Sequence, residues 1–177
     1  MAFQSGPSEQ SVSLDWRPMT PDDLNGVVKV AHLSFPEHFE GYDCFEERQR
    51  LAPEGAFVLS SPEGDIRGYL VAYPYPRHAA PPLNSLIGQV PSGVDNLYLH
   101  DLAMHPDTRG GGYTRAIVER LAEEAKAAGW PRISLVAVNN ASGFWARMGF
   151  VPQNPPGMAE KLATYGEDAV YMERELA

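Results

Sequence analysis

"HPDTRGGGYTRAIVERL", residues 105–121, sets three consecutive glycines, Gly110, Gly111 and Gly112, before a segment with helical spacing. From Tyr113 the apolar positions Ile117, Val118, Leu121, Ala125 and Ala128 share one face, Glu119, Glu123, Glu124 and Lys126 turn outward, and Gly129 supplies the C-terminal stop. Upstream, "DNLYLHDLAMHP" reads as a strand from Asn96 to Met104, closed by Pro106, which cannot donate to a ladder. Strand, glycine loop and helix in that order converge backbone N–H groups and the positive helix end on one anion, and phosphate is the natural guest. Glycine suits the loop because a Cβ blocks close approach and because some of the dihedrals needed have φ above zero. A Walker A loop requires Lys-Ser/Thr after its last glycine, where Tyr113 and Thr114 stand; a Rossmann fingerprint requires a small residue where Arg115 stands. Neither fits, which leaves another phosphate cradle or glycines that only turn the chain.

Outward from this stretch, "VSLDWRPMT" (12–20) alternates as an edge strand, and Thr20 with Pro21, Asp22 and Asp23 starts a helix running to about Leu33. "FPEHFEGYDCFEERQRL" (35–51) reads as a loop and a short helix over Phe45 to Leu51. Two β-rich runs flank the turn Pro62-Glu63-Gly64-Asp65 and form a hairpin. The proline-rich stretch 74–95 has no period and reads as an irregular excursion of the length that functional loops have. "RISLVAV" (132–138) is a strand buried on both faces, "ASGFWARMGF" (141–150) a short helix stopped by Gly149, and "AVYMEREL" (169–176) a last strand.

The 177 residues suit one domain, 12–177, after a mobile polar tail, 1–11. With 14 basic against 23 acidic residues, the net charge of -9 disfavours nucleic acid and membrane surfaces and tolerates cationic partners. No apolar run reaches the roughly 20 residues of a membrane span, the opening "MAFQSGPSEQ" lacks the pattern of a secretory leader, and the lone Cys44 forms no internal disulfide, so a soluble cytoplasmic protein is expected. Cys44 itself reads as a structural thiol.

Three segments in order carry a resemblance. Arg109 through Thr114 resembles the Arg/Gln-x-x-Gly-x-Gly/Ala loop of the GNAT superfamily of acyl-CoA-dependent N-acetyltransferases, with threonine at its last position. "LAMHP" (102–106) is similar to the strand before that loop, and "FWARMGF" (144–150) to the family's closing motif. The resemblance implies an α/β fold: one twisted mixed sheet of six or seven strands with helices on both faces, parted between the fourth and fifth strands to admit acetyl-CoA. It implies acetyl transfer from acetyl-CoA directly to an amine, without a metal. The amine is a small cation or a peptide amine, and a homodimer stays open.

On this resemblance, main-chain N–H groups of Gly110, Gly111, Gly112, Tyr113 and Thr114 would take the coenzyme A pyrophosphate, with Arg109 shaping the loop. Leu102, Ala103 and Met104 would pair with the pantetheine arm and offer an N–H to the thioester oxygen. Asn139 and Asn140 would lie near the same arm. An ammonium with a pKa of roughly 10 needs a base before it can attack; the family positions for it are His100 and Tyr98, His100 is the first candidate, and Asp101 beside it would act as base or charge anchor if a bulge turns it inward. Glu37 and Glu40, in an acidic run with Asp43, Glu46 and Glu47, and Tyr98 would contact the acceptor, although a solvated face explains the acids equally. Trp145 replaces the tyrosine that protonates the leaving thiolate in many relatives, and indole cannot do so. Tyr165, Tyr171, Tyr98 or solvent would substitute. The alternative is a regulatory module that binds acyl-CoA without transferring it.

Overall fold

The computed structural model describes residues 13–37 and 40–176; the tail expected at 1–11 lies outside them. The chain runs β1 (Asp15–Pro18), α1 (Leu24–Ser34), α2 (Tyr42–Leu51), β2 (Ala56–Ser60), β3 (Ile66–Pro74) and β4 (Leu97–Met104). It continues through α3 (Tyr113–Ala127), β5 (Arg132–Ala137), α4 (Ser142–Arg147), β6 (Val151–Pro152), α5 (Ala159–Ala163) and β7 (Val170–Glu175). The strands form one mixed sheet in the order β1-β2-β3-β4-β5-β7-β6, in which only β4 and β5 run parallel.

Side-chain alternation on the central strand β3 divides the interior into two cores. Tyr69, Val71 and Tyr73 point to α1 and α2, where they meet Leu24, Val27, Val30 and Phe45. Leu70 and Ala72 point to α3, whose stripe Ile117, Val118, Leu121 and Ala125 is 4% exposed or less. Each such aliphatic side chain contributes about 1.5–3 kcal/mol on burial. The start of α3 is held against the edge strand by the Trp16 indole N–H, which donates to the Tyr113 carbonyl at 2.9 Å.

Sequence patterning locates most of this. The Thr20 signal holds, with the Thr20 N–H donating to the Asp23 carboxylate at 2.8 Å. The second helix begins at Tyr42, a turn earlier than the apolar spacing suggests, because Gly41 serves as its N-cap. Two elements carry too few residues to leave a periodic trace: β6 and α5.

Between β4 and β5 the ladder covers only Leu97↔Ile133 and Tyr98↔Ser134. Beyond those pairs the strands diverge, so the main chain of β4 on the β5 side faces a gap. The parting expected between the fourth and fifth strands is there.

The excursion over 75–96 has no helix or strand, yet is tied down along its length. Arg77 donates twice to buried Glu173, at 2.7 and 2.9 Å, and the His78 N–H donates to the Tyr171 hydroxyl. Glu40 accepts from the Asn84 N–H, Glu47 from the Ile87 and Gly88 N–H groups, and Arg48 donates to the Ser85 carbonyl. Two acids of the run at 37–47 are therefore buried loop anchors rather than a solvated face. Cys44, 5% exposed, lies against Asn84 and Ser85 in the same seam as an inert thiol raised in pKa by burial.

Candidate active site

The gap between β4 and β5 opens a cleft of about 370 Å³. Residues 99–104 of β4 form one wall, Leu135, Val136 and Val138 the other, and Arg109, Thr114 and Trp145 stand around it. On the side of α1 and α2 a smaller cavity of about 60 Å³ is walled by Phe35, Glu40, Leu83 and Tyr165. Phe35, His100, Asp101, Val136, Val138 and Asn139 line both, so the two spaces adjoin across the middle of β4.

A β-bulge decides what β4 presents there. Val71 of β3 faces Asp101 but Ala72 faces Leu99, which makes His100 the extra residue. Regular alternation would send His100 and Asp101 to opposite faces. With the bulge His100 meets Tyr73 and Glu40, Asp101 meets Tyr69 on the same side, and Leu102 returns to the α3 side.

The two residues sit in different environments. The His100 side chain is only 3% exposed. Its Nδ1 is 3.2 Å from the Tyr73 hydroxyl and its Nε2 is in close hydrogen-bonding contact with Glu40, so both ring nitrogens are engaged. Burial alone would raise the Glu40 pKa, but His100, Arg48 and the Asn84 N–H together hold it below the usual carboxylate range. Asp101 is half-buried and accepts the Tyr69 hydroxyl at 2.5 Å. Burial pushes its carboxyl up to a pKa of about 6, with Glu40 adding to the rise and His100 and Tyr69 opposing it.

The remaining sequence candidates are distributed as follows. Tyr165 walls the smaller cavity; burial pushes its phenol up to about 12, and its hydroxyl donates to the Pro81 carbonyl. Tyr98 is fully buried among the rings of Tyr73, Tyr75 and His100, with a hydroxyl that makes no hydrogen bond among the described residues. Glu37 is exposed and lines neither space. Asn139 and Asn140 both have positive φ, 55° and 61°; Asn139 lines both cavities, while the Asn140 N–H donates to Asp168 at 2.6 Å. Trp145 lines the cleft and packs edge-on against Phe144 and Phe150.

The glycine loop adjoins the cleft mouth. Gly110 and Gly112 have φ of 85° and 78°, and Gly112 is the N-cap of α3. Nothing within 4 Å would meet a Cβ at either, so glycine is required there by the backbone and not by crowding. At Gly111 a Cβ would lie 2.7 Å from the Tyr113 ring. Arg109 and Thr114 line the cleft, while Gly110, Gly111 and Tyr113 line an adjoining open depression with Arg67. The first-turn N–H groups of α3 have no acceptor within the helix, and that turn, at Tyr113 and Thr114, borders these two spaces.

Tyr69 and Tyr73 are neighbours of Asp101 and His100 that sequence reading missed, as is Glu40 as partner of His100. The available signal was that tyrosines at 69 and 73 share one face of a buried strand and need partners for their hydroxyls.

Residues 19–150 match the Acetyltransferase (GNAT) family. The chain belongs to that family. Among curated proteins no match is found. Solved structures similar to this GNAT acetyltransferase include the loading GNATL domain of CurA from Lyngbya majuscula, with TM-score 0.77, 13% identity, and coverage of 93% of this chain and 98% of that one. Ard1 from Thermoplasma volcanium has TM-score 0.70 and 16% identity over 94% of this chain and 99% of that one. The ribosomal-protein-S18-alanine N-acetyltransferase from Escherichia coli has TM-score 0.66 and 18% identity over 93% and 95%. At these identities the likeness is one of fold. The donor expected for a GNAT acetyltransferase, acetyl-CoA, fits the residues present: glycines at positive φ before a helix, Arg109 beside them, and an unpaired strand edge leading inward.

Proposed function

We propose that the protein transfers acetyl from acetyl-CoA to a primary amine, with Asp101 as the general base. The observation that carries this reading is the bulge at His100, which turns Asp101 to the face where the two cavities adjoin. Acetyl-CoA, when bound, supplies an activated thioester carbonyl. The loop over 110–114 and Arg109 hold its phosphates by main-chain N–H groups and charge. The β4 edge at Leu102, Ala103 and Met104 aligns its arm, and a β4 N–H stabilises the charge that develops on the carbonyl oxygen. Asn139 and Trp145 border the arm.

The acceptor enters from the smaller cavity as an ammonium. Asp101 takes its proton, directly or through one water, while Tyr69 holds one carboxylate oxygen and leaves the other for the transfer. The amine lone pair then forms the C–N bond, the C–S bond breaks, the remaining excess proton on nitrogen leaves to solvent to give the neutral amide, and solvent protonates the thiolate. Neither Trp145 nor Tyr165, whose hydroxyl is committed to Pro81, is needed as an acid. His100 and Glu40 set the charge and shape behind Asp101.

Thiol release from acetyl-CoA in the presence of amines tests this. Amine-dependent release that falls at least about 100-fold in Asp101→Asn is the expected result. Binding of acetyl-CoA by calorimetry with no release to any amine would favour the second reading, a regulatory acyl-CoA-binding module, which Trp145 at the usual tyrosine position supports.

A further inference from the structure

We infer that the acceptor is an amine with an apolar body and no carboxylate close to its nitrogen. This rests on the transfer reading above and concerns the smaller cavity alone. Its walls are Phe35, Leu83, Val136 and Val138, and its charged members are the carboxylates of Glu40 and Asp101 with His100 clamped to Glu40. Asn139 and Tyr165 complete the lining, and the Tyr165 hydroxyl is committed to the Pro81 carbonyl. Among the described residues that line it there is no lysine or arginine.

The buried cation behind the wall is not available to a ligand. Arg48, 2% exposed, gives its terminal N–H groups to the Cys44 and Ser85 carbonyls and to Glu47. Arg77 is held in two bonds by Glu173. An α-amino acid seated with its nitrogen at Asp101 would bring its own carboxylate among like charges, with no guanidinium to meet it. An alkyl or arylalkyl amine brings no second charge into the space and lays its body on Phe35, Leu83, Val136 and Val138. At about 60 Å³ the space is small. A short alkyl group beside the nitrogen fills it, and a longer body continues toward solvent.

The same chemistry is offered by a free amine and by the N-terminus of a peptide, whose first carbonyl is an uncharged amide. Five acceptors separate these cases at saturating acetyl-CoA and pH 8: 3-methylbutylamine against leucine, 2-phenylethylamine against phenylalanine, and a leucine-initiated peptide amide. The plain amines hold their protons more tightly than the amino acids, so an advantage in their favour does not arise from easier proton loss.

The expected result is a kcat/KM for the plain amine, the peptide amide, or both that exceeds the matched amino acid by at least about 30-fold, on the scale of one unscreened like charge in a partly buried site. Which of the two dominates identifies the source. Amino acids used within about threefold of their decarboxylated partners overturn the inference and leave amine transfer standing. No thiol release with any of the five, while acetyl-CoA binds, overturns the transfer reading and this inference with it.

Discussion

Asp101 is the residue at which chemistry and stability pull in opposite directions. Its carboxyl has a pKa raised to about 6 from an ordinary 3.8, so the folded state holds the proton more tightly than the unfolded chain. The stability this confers is complete below about pH 4 and is lost as pH rises through about 6. Asp101→Asn is therefore expected to abolish most transfer yet raise stability at pH 8 by on the order of 2 kcal/mol, a gain that disappears toward pH 4 in denaturant titrations. A merely structural carboxylate would lose stability instead. Tyr69→Phe removes the hydroxyl that opposes the rise, so the acid limb of the rate profile is expected to move upward by about half to one pH unit. Glu40 has the reverse sign: its pKa is held low, so its contribution is present above about 4.5 and fades as pH falls below it. Glu40→Gln breaks a buried pair and is expected to cost about 1–3 kcal/mol near neutrality in the same titrations.

At the scale of elements, the loop before α3 and the excursion over 75–96 make different demands on the chain. Gly112 caps α3 at φ 78° in open space, so Gly112→Ala adds backbone strain without a clash. About 1–2 kcal/mol lost in thermal unfolding and a KM for acetyl-CoA raised roughly tenfold are expected, with the KM for the amine little changed. The glycine run and the stripe of α3 were legible in the sequence because each is a local pattern with one physical meaning. The excursion was legible as a loop, but its anchoring was not: Glu47, Arg48, Glu173 and Tyr171 act across 37 to 96 positions of sequence, where no periodicity connects them. Glu40 was legible as an acid near the acceptor, whereas its bond to His100 depends on a loop seating that spacing does not encode. The inward turn of Asp101 likewise hung on one bulge, conceivable from the sequence and fixed only by the β3 register.

For the whole molecule, two cores on opposite faces of the sheet leave a gap where β4 and β5 part, and the proposed donor and acceptor approach it from different sides. Coenzyme A binding is expected to slow amide hydrogen exchange along 100–104 and 110–115 while leaving β2 and β7 unchanged, since the first two segments border the gap and β2 and β7 are paired on both sides away from it. The fold was readable because three motifs in register imply it; the acceptor was not, because its cavity is assembled from the segment between α1 and α2, the excursion, β4, β5 with the residues after it, and the segment before β7. The most direct measurement of the central claim is the pH profile of kcat/KM for one responsive alkyl amine, in the native protein and in Asp101→Asn. With Asp101 taking the proton from a bound ammonium, the native rate should rise with unit slope to about pH 6 and then stay level toward the amine's own pKa near 10. In Asp101→Asn it should instead climb throughout, following the free amine. Identical profiles in the two proteins would contradict Asp101 as the base.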